Sequence, residues 1–297
     1  MNLLIDGNNF GMRAFGIVPL EWEGKRTEVS YVGLQMLRNY LEKFAPDRCV
    51  VVWDGGRDEY RKKLFPDYKR KHRQLTEEEE AKRDVFFDQV STLTSVLRRI
   101  GFNQYRLRSR EADDVIYSLV KVGNEYIVVS TDEDFFQLLA LPNKKVKVYS
   151  PIRDILYTSE LVEKKLGVPI EKFVEYKAIV GDPSDCLPGV RGLGPAKARL
   201  LFFGIEDLSP SENKVAQRAA VVLRANQTTF ETMKSMIKFI DIPNEEMEAG
   251  CLKAEVMSVE ARSSELHAIC RELGFERSIA SFDEFVRPFE SYWKVAQ

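Results

Sequence analysis

Nine acidic side chains stand out because each follows an apolar run or flanks the end of a predicted helix. Carboxylate oxygens are hard ligands, and they suit Mg²⁺ or Mn²⁺. Two such ions, about 3.5 to 4 Å apart, can clamp the attacking and leaving oxygens of a phosphoryl displacement. The pattern therefore predicts phosphodiester hydrolysis. The nine acids are Asp6, Asp54, Glu111, Asp113, Asp114, Asp132, Asp134, Asp182 and Asp185.

Taken one at a time, these acids have ordinary structural explanations. An acid in the first turn of a helix is stabilised by the helix dipole by ~0.3 to 1 kcal/mol, and aspartates are common in turns. The explanation fails for the whole set, because so many carboxylates at one end of a sheet repel each other until cations bind. A histidine mechanism is not indicated, since His72 and His267 are the only histidines and neither adjoins an acidic motif. The Gly-x-Ser-x-Gly motif of serine hydrolases does not occur in the sequence.

A glycine-rich segment, residues 189–195, reads Gly-Val-Arg-Gly-Leu-Gly-Pro and lies between two predicted helices. Closely spaced glycines let a backbone approach a ligand and turn its amides toward an anion, so a phosphate is the expected ligand. Pro195 stands where a Walker A loop has lysine, and Lys197 stands where a dinucleotide fingerprint has its third glycine. Lys197 and Arg199 are expected to contact a duplex backbone without reading its sequence. The alternative is a glycine-rich helix turn with no ligand.

A basic segment, residues 60–73, holds seven lysines and arginines against the single acid Asp67. Tyr60, Phe65 and Tyr68 are interleaved with them. Cations that follow phosphates, with aromatic rings on which bases stack, are typical of single-strand binding. A charge run is also often just a solvated face. Because the segment lies between Asp54 and the acidic stretch at 77–80, it is interpreted as a mobile flap beside the metal site.

The elements that must position these residues alternate between strand and helix. Apolar runs at residues 3–5, 49–53 and 126–130 predict strands, and helical periodicity follows the first two. Thr76 and Glu79 form a capping-box signature that starts one long helix, and Gly101 marks its end. This alternation predicts an α/β fold with a mainly parallel sheet covered by helices on both faces, in which ligands bind at the carboxyl ends of the strands.

Three of the acids are expected at this edge of the sheet: Asp6, Asp54 and Asp132. The run Glu111-Ala112-Asp113-Asp114 opens a further helix. Its periodicity places Glu111 and Asp114 on one face and directs Asp113 elsewhere nearby.

The strand signal fades after residue 160, and residues 171–180, 195–203, 214–225 and 229–240 have helical patterns. The C-terminal third is accordingly expected to be all helical. The predicted division is an α/β core at 1–155 and a helical DNA-binding region at 156–297. A flexible linker is not indicated, so the two parts should pack together.

Composition limits the function classes. The chain has 297 residues, of which 44% are hydrophobic and 30% charged, as in an ordinary globular protein. A net charge of -2 and a pI near 6.0 argue against a uniformly basic nucleic-acid coat. The four scattered cysteines fit reduced packing residues better than a disulfide framework or a zinc site. The apolar stretch near the start of the sequence is too short for a signal peptide, so an intracellular protein with no membrane span is expected.

Five motifs together resemble the 5′-nuclease family, which includes bacteriophage flap endonucleases and the 5′-nuclease domain of bacterial DNA polymerase I. They occur in the family's order, and the resemblance covers about residues 1–240, with 241–297 weakly matched. The motifs are Leu4-Ile5-Asp6-Gly7-Asn8-Asn9 with Arg13, Trp53-Asp54, Glu111-Ala112-Asp113-Asp114, Ser130-Thr131-Asp132-Glu133-Asp134 and Gly181-Asp182-Pro183-Ser184-Asp185.

The resemblance implies a PIN-like core, with the nine carboxylates as ligands of two Mg²⁺ or Mn²⁺ ions. It implies a helical arch at residues 57–85 and a duplex-binding motif of the helix-hairpin-helix type at 189–197, with K⁺ at the hairpin. Residues implied near the scissile phosphate or the threaded strand are Arg13, Arg61, Tyr68, Lys69 and Arg73. Residues implied in DNA binding are Lys62, Lys63, Arg70, Lys71, Gly189, Gly192, Leu193, Gly194, Lys197 and Arg199.

Two departures from the family pattern lie near the hairpin. Cys186 replaces the asparagine common after the second aspartate, and Lys197 comes one residue later than the family's usual hairpin lysine, where this chain has Ala196. A weaker phosphate grip is expected there.

The implied function is a monomeric, cytoplasmic 5′-nuclease of a bacterium or a phage-infected cell, acting in DNA replication or repair. Its implied substrates are DNA with a 5′ flap, a 5′ overhang or another single-strand/duplex junction, and RNA-DNA hybrid, with replication proteins as partners. Two alternatives remain open. One is a PIN-type ribonuclease, whose domains are shorter and lack a glycine hairpin. The other is a catalytically silent DNA-binding protein, against which the presence of all nine acids weighs.

Overall fold

The computed structural model describes residues 1–17, 20–56, 58–70, 75–203 and 208–296. Within these ranges a seven-stranded sheet has the order β8-β7-β6-β1-β4-β5-β9. The five central strands run parallel, and the two edge strands, β8 and β9, are antiparallel to their neighbours. The strands are β1 (Asn2–Asp6), β4 (Arg48–Trp53), β5 (Asn103–Arg106), β6 (Glu125–Val129), β7 (Lys145–Ser150), β8 (Ile155–Tyr157) and β9 (Cys251–Leu252), with β2 (Glu21–Trp22) and β3 (Lys25–Arg26) forming a separate hairpin.

Helices cover both faces of the sheet and continue into a separate layer. None of those in the described ranges is both long and apolar enough to cross a membrane. Short 3-10 helices occupy Glu133–Ala140, Ile170–Lys172 and Glu276–Ser278. The α-helices are α1 (Gly7–Ala14), α2 (Glu28–Phe44), α3 (Glu59–Leu64), α4 (Glu77–Arg99), α5 (Ala112–Val122), α6 (Ser159–Leu166), α7 (Phe173–Val180), α8 (Pro195–Leu200), α9 (Pro210–Ala225), α10 (Gln227–Ile237), α11 (Asn244–Ala249), α12 (Val259–Glu272) and α13 (Phe282–Val295).

Alternation along the central strands divides the interior into two cores. In β1, Leu3 and Ile5 face the core that α2, α4, α12 and α13 cover, while Leu4 faces the core on the side of α5. Residues 3–5 are at most 2% exposed, as expected of a strand buried on both faces of a parallel sheet. The predicted fold class is confirmed.

The predicted long helix is α4, and its local signals behave as expected. Thr76 Oγ1 accepts from the Glu79 amide while the Glu79 carboxylate accepts from the Thr76 amide, which completes the capping box. The helix ends before Gly101, whose φ of +90° only glycine adopts without strain. Gln89, on the buried face of α4, donates to Glu28 and accepts from the Val29 amide, which ties α4 to α2.

A third core lies among α7, α8, α9 and α10, away from the sheet. Tyr68, from the predicted arch, is 3% exposed and belongs to this core. The arch therefore contributes to the packing of the helical layer as well as bordering the sheet.

The C-terminal third departs from the all-helical expectation at one strand, while its helices pack on the sheet as expected. Strand β9 lies within it and pairs with β5 at the edge of the sheet, so this part of the chain is not all helical. Helices α12 and α13 pack into the sheet's first core, where Phe289 and Trp293 are fully buried. The expected boundary at residue 155 also falls at the start of β8, a strand of the main sheet. Two-residue strands such as β9 carry too little periodicity to be read from sequence.

Candidate active site

Four acids meet at the carboxyl edge of the sheet. Asp6 ends β1, Asp54 follows β4, Asp132 follows β6, and Asp113 lies in the first turn of α5. These four, the central acids, influence one another electrostatically: Asp54 and Asp132 both raise the pKa of Asp6, and Asp132, Asp6 and Asp54 all raise that of Asp113. The structure thus brings together acids that are up to 126 residues apart in sequence, from Asp6 to Asp132.

Hydrogen bonds hold two of the central acids in fixed orientations. Asp6 caps α1 by accepting from the Asn9 amide at 3.2 Å, and its other oxygen accepts from Ser130 Oγ at 2.8 Å. Asp54 accepts from Asn8 Nδ2 at 2.6 Å and from the backbone amide of residue 112 at 2.8 Å. These contacts leave the carboxylates facing one another instead of turning toward solvent.

Burial, and after it neighbouring carboxylates, raise the pKa values of three of the central acids. Burial, with Asp54 as the next contribution, raises the pKa of Asp6 to about 7. Burial and then Asp132 raise the pKa of Asp113 well above its usual range, and burial raises that of Asp54. A bound cation would reverse these shifts, because it stabilises the ionised carboxylates.

Lys69 joins two further predicted ligands. Its Nζ lies 2.8 Å from Glu111 Oε1 and 4.0 Å from Asp185 Oδ1. The backbone contributes as well: the Lys69 amide donates to the carbonyl of Asp185 at 3.0 Å. Tyr68 OH donates to the second oxygen of Glu111 at 2.8 Å. Since the Lys69 side chain is 43% exposed, its ammonium group remains accessible from solvent.

Lys177, near the end of α7, joins another pair of predicted ligands. Its Nζ lies 2.8 Å from Asp134 Oδ1 and also donates to Asp182 Oδ2. Burial opposes the charge of Lys177, but the two carboxylates outweigh burial and raise its pKa. Burial raises the pKa of Asp182, but Lys177 and Ser184 outweigh this effect and lower it to about 2. The Asp134–Lys177–Asp182 group is therefore a charged triad, in which the ammonium group of Lys177 pairs with both carboxylates.

Asp114 does not face the other acids. It is fully buried, and its two oxygens lie 2.7 and 2.9 Å from the two terminal nitrogens of Arg61. Arg61 also contacts Asp58 and donates from Nε to the carbonyl of Met236 at 3.0 Å. The shared face expected for Glu111 and Asp114 is present, since both approach Arg61, with Glu111 at 3.7 Å.

This pairing departs from the roles that the family pattern implied for Asp114 and Arg61. Three hydrogen bonds, two from the guanidinium group and one from the Ile240 amide, occupy most of the acceptor capacity of Asp114 and leave little for a metal ion. Arg61 is 2% exposed, so it is not placed to contact a phosphate. The two residues instead join α5, α3 and the chain after α10, because the Ile240 amide also donates to Asp114 at 2.8 Å.

The other basic residues of the predicted site differ in placement. Arg13 donates to the hydroxyl of buried Tyr40 at 2.6 Å. Lys62 donates to the carbonyl of Tyr68, and Arg70 pairs with Asp67 at 2.8 Å on the surface. The exposed residue Lys63 completes the described part of the basic segment. Lys71 and Arg73 lie outside the described residues.

In the glycine segment, one glycine is required by the packing of the chain, while two others face open space. A Cβ on Gly189 would lie 2.5 Å from the carbonyl oxygen of Ile179, so this glycine is required by the packing of the chain itself. At Gly192 and Gly194 a Cβ would meet nothing within 4 Å, and Gly194 has a φ of -84° that any residue adopts. Nothing in the described chain therefore explains a glycine at position 194.

Three residues near the hairpin differ in exposure: Leu193 is buried, Arg199 is half-buried and Lys197 is exposed. Leu193 is 3% exposed and packs in the third core. Lys197 Nζ donates back to the carbonyl of Gly192 at 2.9 Å. Arg199 is half-buried, with its side chain within 3.6 Å of the Cβ position at Gly167.

Several residues at the site were not predicted from the sequence to have a role there. Ser130 and the asparagines Asn8 and Asn9 orient Asp6, Asp54 and the loop after β6. Their position directly after strands β1 and β6 is the feature of the sequence that could have indicated a role at the site. Asp58 is buried against Arg61, and Lys177 lies within a helix where lysine is usually exposed. Only the tertiary structure shows that these last two residues face other charges.

The residues present fit divalent metal ions by their chemistry. Hard carboxylate oxygens converge at one edge, and burial, followed by neighbouring carboxylates, raises the pKa values of Asp6, Asp54 and Asp113. Among the described residues, no three acidic, histidine or cysteine side chains are already spaced as ligands of one ion. Lys69 and Lys177 instead supply positive charge between the predicted ligands.

A parallel sheet whose carboxyl edge gathers carboxylates and lysines fits the class of metal-dependent, phosphodiester-cleaving nucleases. The family model described as "5'-3' exonuclease, N-terminal resolvase-like domain" matches residues 1–167, more than half of the chain. The chain belongs to the 5′-3′ exonuclease family.

Curated relatives and solved structures agree with this assignment. A 5'-3' exonuclease of Aquifex aeolicus is 33% identical over 201 residues, 66% of this chain and 66% of the relative. Flap endonuclease Xni of Shewanella halifaxensis is 33% identical over 251 residues, 81% of this chain and 94% of the relative. The T5 D15 protein, co-crystallised with metal ions, has a TM-score of 0.65 and 21% identity, and the match covers 100% of both chains.

The bacteriophage T5 D15 flap endonuclease has also been solved with DNA and metal ions. That structure has a TM-score of 0.64 and 20% identity, and the match covers 98% of this chain and 99% of that one. At these identities the structural likeness establishes the fold. The PIN-type ribonuclease alternative is not favoured, because the curated relatives are named as 5′-3′ exonucleases and flap endonucleases.

Stability of the ion-free protein should fall as pH rises through the range in which Asp6 ionises. Because the folded pKa of Asp6 is about 7 and its ordinary value is 3.8, the folded state binds more protons between these limits, and stability is lost as pH increases. Added Mg²⁺ should therefore raise the melting temperature more near pH 8 than near pH 5.5. Thermal unfolding of wild type and Asp6→Asn, with and without Mg²⁺, measures this. A melting temperature that is flat with pH and insensitive to Mg²⁺ would contradict the expectation.

Substitution of asparagine for Asp113 and for the adjacent Asp114 should have different effects on cleavage and on stability. Asp113→Asn should abolish cleavage with little loss of stability, since it relieves repulsion among the central acids. Asp114→Asn should cost roughly 3 kcal/mol, because Arg61 stays buried with a weakened partner. Urea unfolding and a cleavage assay on both variants separate the two roles. Equal stability losses, or full activity in Asp113→Asn, would reject the division.

Proposed function

We propose that the chain is a structure-specific 5′-nuclease that hydrolyses phosphodiester bonds of DNA near single-strand/duplex junctions with two divalent metal ions. The observation that carries the proposal is the meeting of Asp6, Asp54, Asp113 and Asp132 at one sheet edge, beside the ammonium group of Lys69. Support comes from the family assignment and from the T5 flap endonuclease, which was solved in complex with DNA and metal ions.

In this proposal the ligands of the ions are the central acids together with Glu111, Asp134, Asp182 and Asp185. When bound, the ions supply an activated water and stabilise the charge that develops on the phosphate. Asp114 is left out of the ligand set, because Arg61 holds both of its oxygens. Asn8, Asn9 and Ser130 keep the central carboxylates oriented.

Lys69 is the cation best placed to act on the scissile phosphate. Its ammonium group is half-exposed, contacts Glu111, and is anchored through the backbone of its own residue to Asp185. Tyr68 is fixed in the third core and donates to the other oxygen of Glu111, so it positions that carboxylate and does not stack on bases. A phosphate at the central acids would then lie next to the positive charge of Lys69.

The glycine segment supplies the second contact of the proposed substrate. Gly194 is exposed at the start of α8, and neither packing nor backbone conformation in the described chain requires a glycine there. A ligand that approaches the backbone closely would require one. We assign this position to a duplex phosphate, with Lys62, Lys63 and Arg70 on the single-strand side.

Finer features of the function stay predictions. These include the balance between exonuclease and flap cutting, the choice of Mg²⁺ over Mn²⁺, K⁺ at the hairpin, use of RNA-DNA hybrid, and replication-protein partners. The arch as a strand guide also stays a prediction, since part of it lies outside the described residues.

Polarity is tested with 5′-flap and 3′-flap duplexes labelled at each end. We expect removal of the 5′ flap within a nucleotide or two of the junction. The family assignment supplies the 5′ direction, and a duplex contact on one side with the basic segment on the other would bring the junction to the central acids. Preferential cutting of the 3′ flap, or cuts scattered along the duplex, would overturn the polarity. Tight flap binding without cleavage in Mg²⁺ or Mn²⁺ would instead favour the catalytically silent alternative.

Removing the charge of Lys69 should slow the chemistry more than binding. Lys69→Ala should lower the single-turnover rate by roughly 100-fold, since one contact to developing charge is worth about 3 kcal/mol. Lys121→Ala, which removes a surface lysine paired with Asp241, is the matched control and should cut at the wild-type rate. Equal rates for wild type and Lys69→Ala at saturating substrate would remove Lys69 from the mechanism.

A side chain at position 194 should weaken duplex binding without unfolding the protein. Gly194→Val should bind all duplex sequences less tightly, and loss of one phosphate contact should reduce the slope of log affinity against log salt by about 0.9. Its melting temperature should match that of wild type, because the position is open. Unchanged duplex affinity would support the alternative interpretation, in which this segment is a helix turn with no ligand.

A further inference from the structure

Lys177 connects two segments that carry predicted metal ligands. Asp134 comes from the 3-10 helix Glu133–Ala140, and Asp182 from the loop after α7. The ammonium group lies 2.8 Å from Asp134 Oδ1 and donates to Asp182 Oδ2. Without it, two carboxylates from different parts of the chain would face each other unpaired.

The end of α7 fixes this arrangement. Gly181 has a φ of +85°, and its amide closes the last turn by donating to the carbonyl of Lys177 at 2.7 Å. The chain then reverses, and the backbone of Asp182 pairs with that of Leu187. Asp182 Oδ1 accepts from the Ser184 amide at 2.9 Å, which leaves Oδ2 for Lys177.

The triad is shielded from solvent. The side chains of Lys177, Asp134 and Asp182 are 19%, 15% and 13% exposed. Asp134 Oδ1 accepts no hydrogen bond of normal geometry within the described chain, so its ion pair with Lys177 is its principal stabilising contact. Charges at this depth are screened weakly by water and salt, so each one strongly affects the others.

An ion coordinated by Asp134 Oδ1 and Asp182 Oδ2 would use the two oxygens that Lys177 contacts now. The ammonium group and a divalent ion cannot both occupy that position, and at a few ångströms they repel each other. Binding of the ion is therefore an exchange of one cation for another. Lys69 differs from Lys177, because its side chain is 43% exposed and can turn away at little cost.

We propose that Lys177 is a positioning residue that holds Asp134 and Asp182 in the ion-free protein and competes with a divalent ion for them, which lowers the affinity of one of the two ion positions. The inference rests on the proposed function, which supplies the ions. It goes further because it identifies a lysine of this chain that sets the metal concentration at which the site is occupied.

Calorimetric titration of Mn²⁺ into the full chain, without DNA, tests the proposal. Lys177→Met removes the charge and keeps the length of the side chain, and it should bind one Mn²⁺ at least about tenfold more tightly than wild type. Lys177→Arg keeps a charge and should show no gain. Lys172→Met, which removes a lysine of the preceding turn that pairs with Glu175, is the matched control and should bind as wild type does.

Thermal unfolding gives an independent readout. Ion-free Lys177→Met should melt below wild type, and Mn²⁺ should raise its melting temperature by more than it raises that of wild type. If Lys177→Met does not fold without ions, Lys177→Gln, whose amide still donates, takes its place in the same titrations. Wild-type or weaker Mn²⁺ affinity in the folded uncharged variant would overturn the inference alone. Absence of Mn²⁺ binding to wild type would overturn the proposed function as well.

Discussion

Repulsion among buried carboxylates is the constraint on which the rest of this structure depends. Parallel strands bring their carboxyl ends to one edge, and three of them deliver an aspartate there while α5 adds a fourth. Burial and neighbouring carboxylates raise the pKa values of Asp6 and Asp113, and lysines contact the acids around them. A cluster of this kind destabilises the protein by itself, and bound cations would offset that cost.

The surroundings of the cluster balance this charge in three ways. Hydrogen bonds from Asn8, Asn9 and Ser130 orient the central acids. Two lysines, Lys69 and Lys177, bridge pairs of acids around them. The buried Arg61 pairs with Asp114 and Asp58, so Asp114 forms a structural link between the sheet and the helical layer. The site therefore has a centre of clustered aspartates and a rim whose charges are already paired.

Sequence predicted the fold class, the edge at which the acids meet, and the start and end of α4. These succeeded because strand periodicity, capping chemistry and glycine conformation are local properties. Periodicity placed Asp113 and Asp114 on different faces of α5, but it could not show that the buried Arg61 lies on the side of Asp114, because that depends on tertiary packing. Lys177 was missed for the same reason. The strand β9 and the packing of α12 and α13 on the sheet depend on long-range contacts that no local pattern encodes.

The most direct test of the account is anomalous diffraction from crystals soaked in Mn²⁺. Two peaks about 3.5 to 4 Å apart are expected at the carboxyl edge, one among Asp6, Asp54, Asp113 and Asp132. The second should lie in contact with Asp134 and Asp182, with the ammonium group of Lys177 displaced from both. Absence of any peak among the central acids at saturating Mn²⁺ would contradict the claim that their repulsion exists to bind metal.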